Sequence, residues 1–224
     1  MKKLQISLIA ALFIVGLLTI KGCQSVDDPV APPEPEATDI ALKSKSIERP
    51  TAIETESQIM ASKPDFVAIL NSAQTVPPSP DRGKTGRARF WLTNNDTELV
   101  YDIQLFDLDL DGWVTKQDAT DDVTKIHLHN APPGVAGPHV LNVLYSPCQD
   151  DRDLVTRPFL GAVSGVWDDG DVTDPSNCPG IAPGPASEPL SVVLSELMAG
   201  NLYVNVHTTF FSYGELRGQI LPNN

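Results

Sequence analysis

Lys125-Ile126-His127-Leu128-His129-Asn130-Ala131-Pro132-Pro133-Gly134 alternates apolar and polar residues, then runs into a Pro-Pro-Gly turn. Side chains alternate across a strand, so His127 and His129 share one face while Ile126 and Leu128 share the other. Leu202-Tyr203-Val204-Asn205-Val206-His207-Thr208 alternates in the same way. Its Leu202, Val204 and Val206 face one side, and Tyr203, Asn205 and His207 the other. If the two strands lie in one sheet, their apolar faces build core together and their polar faces bring three imidazoles toward one point.

Outward from this pair, the chain reads as short Val/Ile/Leu/Phe/Tyr runs separated by Pro, Gly, Asn and Asp. Strands are expected over 65–70, 86–93, 98–106, 123–130, 139–145, 161–167, 202–208 and 215–221. Residues 73–78 read as an extended segment, and Asn94-Asn95-Asp96-Thr97 as a hairpin turn. One short helix is expected near 191–200, ending at Gly200. The fold class is therefore all-β: a Greek-key β-sandwich or flattened barrel over 63–221. At 224 residues the chain can hold one such domain with a sizeable core.

The first 62 residues read differently. Lys2 and Lys3 precede an almost wholly apolar run from Leu4 to Ile20, the pattern of an export signal over 1–22. A single membrane-spanning helix is the alternative. Ile20-Lys21-Gly22-Cys23 resembles the bacterial lipobox, with Lys21 where an uncharged residue is usual. That resemblance implies lipidation of Cys23 and a membrane anchor. Residues 23–62 are rich in Pro, Glu, Ser and Thr and poor in large apolar residues, which predicts a disordered acidic tether. The formal charge is −13, and removing residues 1–22 takes away three lysines and no acid, giving −16. A chain this acidic argues against nucleic-acid binding, which needs a basic surface.

Ala73-Gln74-Thr75-Val76-Pro77-Pro78, Ile126-His127-Leu128-His129, Leu202 to Thr208 and Gly214-Glu215-Leu216-Arg217-Gly218-Gln219-Ile220 resemble, in order, the motifs of the CHRD (chordin-type) domain. The resemblance covers roughly 65–221, with longer inserts here at 107–122, 146–160 and 168–188. It implies a domain of extracellular proteins and bacterial lipoproteins, without an established catalytic activity.

Two constellations could hold metal. Neutral imidazole is a ligand for zinc or copper, so His127, His129 and His207 form a candidate transition-metal site. His139 is the one further imidazole available, and Glu215 could supply a carboxylate. The competing reading makes these histidines structural, bonded to Asn205, Glu215 and Arg217. Asp107-Leu108-Asp109-Leu110-Asp111-Gly112 through Asp118 matches a calcium loop at Asp107, Asp109, Asp111 and Asp118, with Gly112 at the turn. The competing reading is a solvated acidic turn. Cys148 and Cys178 are the pair left after Cys23, and export predicts that they form a disulfide. No Gly-x-Ser-x-Gly, His-Glu-x-x-His or phosphate-loop pattern occurs. The expected function is a non-catalytic binding module outside the cytoplasm, calcium-stabilised, with an unidentified extracellular or periplasmic protein partner. The alternative is a metal-binding protein or metal-dependent enzyme using the three histidines.

Overall fold

Among the described residues, ten strands carry the architecture: β1 (Phe66–Leu70), β2 (Thr85–Thr93), β3 (Glu98–Phe106), β4 (Val123–Asn130), β5 (His139–Leu144), β6 (Val155–Arg157), β7 (Ala162–Trp167), β8 (Leu202–Thr208), β9 (Leu216–Gln219) and β10 (Leu221–Pro222). The computed structural model describes residues 57–145, 149–171 and 186–224. These belong to one unit, Glu48–Asn224. The strands form two antiparallel sheets, in the orders β10-β1-β2-β3-β7-β6 and β5-β4-β8-β9. Neither sheet closes into a barrel, so the domain is a flattened sandwich. The Asn71–Arg217 bridge ties the start of β9 to the chain leaving β1.

The alternating patterns place one face of each sheet in the core. Phe66, Leu70, Phe90, Leu99, Tyr101, Ile103 and Trp167 meet Ile126, Leu128, Val204, Val206 and Leu216 there, all buried. At about 25 cal/mol per Å² of apolar surface removed from water, this layer drives the two sheets together. The β2–β3 hairpin turns through Asn94, Asn95 and Asp96, all at positive φ (49°, 57° and 66°). Asn and Asp visit that region more readily than other residues with a Cβ. The helix spans Leu190–Met198. Gly200, at φ 74°, ends it. There the Gly200 amide donates to the Leu197 carbonyl and the Asn201 amide to that of Glu196, capping the last turn.

One expectation needs correction. The segment 73–78 is not extended at its start: Ser72–Gln74 is a 3-10 turn, which Asn71 caps by accepting from the Gln74 amide, and Thr75 after it is extended. Within 146–160, β6 pairs with β7 along the edge of the larger sheet, a strand the sequence reading did not place. Its short Val155-Thr156-Arg157 run carries no alternation that could mark it. Residues 1–56, including the expected export signal, Cys23 and most of the tether, lie outside the described residues, as do Cys148 and Cys178.

Candidate metal centre

The smaller sheet orders its strands so that β4 lies between β5 and β8. His127 and His129 therefore have a neighbour on each side. Across β4 and β8, Lys125 faces His207, His127 faces Asn205 and His129 faces Tyr203. Across β4 and β5, His129 faces His139 and His127 faces Asn142, with register shifts just before His127 and just after Leu128. These irregularities bring His139 into the row. The expected three imidazoles share a face, and the fourth joins them. Ring centroids lie 4.0 Å apart for His127 and His139, 4.2 Å for His129 and His139, and 5.0 Å for His127 and His207.

His127, His129 and His139 each present a ring nitrogen, and the three atoms all lie within 4.8 Å of one another. A zinc or copper ion bonds imidazole at about 2.0–2.1 Å, which sets ligand nitrogens about 3.3–3.6 Å apart. Small side-chain rotations suffice to close that gap.

Hydrogen bonding separates the four rings. His129 Nδ1 lies 3.0 Å from the Gly137 carbonyl. A carbonyl only accepts, so Nδ1 carries the proton and the buried Nε2 keeps its lone pair, with no partner. His139 Nδ1 is buried and unpartnered. Neither nitrogen of His127 has a hydrogen-bond partner, although the residue is only 2% exposed. His207 differs: Nδ1 donates to the Ser212 carbonyl at 2.7 Å, and Nε2 accepts from Asn205 Nδ2 at 3.1 Å.

The surroundings keep the rings neutral. Burial, reinforced by the His139, His207 and His129 rings and by Lys125, holds His127 far below the usual imidazole range. Burial pulls His129 down to about 3 against the Gly137 hydrogen bond. Burial lowers His139 and His207 as well. At neutral pH four uncharged imidazoles therefore share one face, the protonation state a metal requires.

The loop after β4 completes the enclosure. Arg217 donates to the carbonyls of Val135 and Pro132 at 2.7 and 3.0 Å, and Gln219 Nε2 to those of Ala131 and Gly200. The Gly137 amide donates to Tyr203 Oη at 3.1 Å. A Cβ on Gly137 would sit 2.0 Å from the Asn130 carbonyl oxygen, so only glycine lets this loop close over His129. Tyr203 stacks on the His129 ring at 4.8 Å and 5°. Arg217 in turn lies 3.5 Å above the Tyr203 ring. A cleft of about 190 Å³ reaches this edge of the site, lined in part by His129, His207, Tyr203 and Arg217.

A CHRD domain family model matches residues 66–220. The chain belongs to the CHRD domain family. The match takes in all four histidines and the strands that carry them. No curated protein and no solved structure matches the chain.

Other candidate residues of this CHRD domain lie elsewhere. Glu215 is buried, accepting from Thr208 Oγ1 and pairing with Arg82 at 3.2 Å, so it is committed away from the imidazoles. In the acidic loop, Asp109 accepts from the amides of Asp111, Gly112, Val114 and Thr115. Asp111 accepts from the Trp113 amide and Asp118 from the Thr120 amide. The Asp107 carbonyl accepts from Lys84 Nζ. Sequence reasoning did not find the roles of Gly137, Tyr203 and Arg217. Gly137 lies in a Pro/Gly-rich loop and Arg217 opposite Asn205, but spacing alone does not say which carbonyl or ring each will meet.

Proposed function

We propose that this CHRD domain is a transition-metal-binding module that works outside the cytoplasm on a lipid anchor. The observation that carries the metal reading is His127. A structural histidine buried in a sheet satisfies its nitrogens, because each unmet polar group costs about 1–3 kcal/mol. His127 leaves both unmet, beside two further imidazoles with a lone pair directed nowhere else. A bound ion uses those lone pairs. The Gly137 contact then acts as the outer hydrogen bond that orients a metal-ligating histidine. The role is binding rather than turnover. Export and lipidation rest on the apolar run at 4–20 and on Gly22-Cys23.

Metal analysis of untagged protein tests the central claim. Near-stoichiometric zinc or copper in the parent, lost in His127→Gln, is the expected result. A parent that carries no metal, and whose melting temperature ignores added zinc and copper, would overturn it. For the anchor, Cys23→Ser should release the protein from membranes or block its maturation, and unchanged fractionation would refute lipidation.

A further inference from the structure

The donor set is unusual in its charge. His127, His129 and His139 are neutral, and among the described residues no carboxylate or thiolate joins them within the 4.8 Å group. Two cations flank the site across aromatic rings. Lys125 Nζ lies 4.0 Å from the Tyr145 ring centroid, and that ring lies 5.3 Å from His127. On the other flank Arg217 covers Tyr203, which covers His129. A divalent ion here would add two positive charges to a site with two flanking cations and, among the described residues, no anionic ligand.

Coordination number points the same way. Three imidazoles, those of His127, His129 and His139, each have a free nitrogen, whereas both nitrogens of His207 already hold Ser212 and Asn205. Structural zinc takes four ligands, and divalent copper favours a tetragonal set. Monovalent copper, a d10 ion of single charge, is satisfied by three neutral nitrogens.

Resting on the metal reading above, we propose that the site is selective for monovalent copper, held by His127, His129 and His139, with His207 outside the coordination sphere. Each flanking cation disfavours an extra unit of metal charge by roughly tenfold at an effective dielectric of about 20 and a separation of about 10 Å. Together they favour Cu(I) over a divalent ion on the order of a hundredfold relative to the same ligands without them.

The test uses the full chain, stripped of metal and held under anaerobic conditions. Cu(I), Zn(II) and Cu(II) are titrated separately against competing chelators. His127→Gln and His139→Gln serve as blanks, so that binding by cysteines elsewhere is subtracted. His139 is only partly buried, so its variant remains informative if His127→Gln fails to fold. The expected result is one equivalent of Cu(I) bound well ahead of Zn(II) and Cu(II), with X-ray absorption showing three nitrogen ligands. His207→Ala should retain Cu(I) affinity within about tenfold, since it removes no ligand. Zinc binding as tight as Cu(I), or a four-nitrogen site lost with His207, overturns the copper(I) assignment and leaves the metal reading intact. Failure of all three ions to bind overturns the metal reading itself.

Discussion

His127→Leu separates a ligand from a structural histidine, because only the structural role predicts a clear loss of stability in the absence of metal. In the metal-free protein, two buried nitrogens without partners cost about 2–6 kcal/mol, at about 1–3 kcal/mol each. Leucine removes that penalty. It also gives up the ring contacts to His139 and Tyr145, each worth about 0.5–1.5 kcal/mol. A further misfit cost of about 1–3 kcal/mol arises from its different shape. At the middle of these ranges the terms cancel, so the expectation in chelator is a change within about 1 kcal/mol of zero, or within about 2–4 °C in melting temperature for a domain of this size. Saturating metal then separates the two proteins, because the parent gains about 2.7 kcal/mol at a hundredfold excess over Kd and the variant gains nothing. The assay is denaturant and thermal unfolding of both proteins, with chelator and with metal. A variant that loses more than about 1 kcal/mol in chelator would show that His127 supports the fold, and the argument from its unmet nitrogens would fail.

Three other outcomes follow from different parts of the molecule. Asp151 is buried against Tyr101, its carboxyl pushed up to about 7 by burial and by Asp171 despite the Tyr101 hydrogen bond. Its folded-state pKa is raised, so its stability contribution is complete below about pH 4 and is lost as pH rises through about 7, a span of about 4 kcal/mol. Asp151→Asn should therefore be more stable than the parent at pH 8 and show little gain at pH 4, and parallel pH profiles would refute this. Calcium at 107–118 requires the parent to melt higher in calcium than in chelator. Asp109→Ala then removes the difference, besides losing about 2–3 kcal/mol in both conditions as its amide donors are stranded. Identical parent melts in the two conditions would rule calcium out. A disulfide between Cys148 and Cys178 predicts no free thiol at either position in unfolded, unreduced protein, and two reactive thiols would refute it.

Much of this was legible in the chain. Alternation is a local property, and it alone assigns Ile126, Leu128, Val204 and Val206 to core and His127, His129 and His207 to the opposite face. Asn and Asp at 94–96 and Gly at 200 mark turns because few other residues tolerate their backbone angles. The irregular register between β4 and β5 was not legible, and it decides that His139 belongs to the site. Nor does any spacing reveal that Ser212 and Asn205 occupy both nitrogens of His207 while both nitrogens of His127 stand free. Periodicity fixes which face a side chain takes. Which groups meet there depends on strand order, on bulges and on loops arriving from distant parts of the sequence, and those are settled only when the two sheets pack.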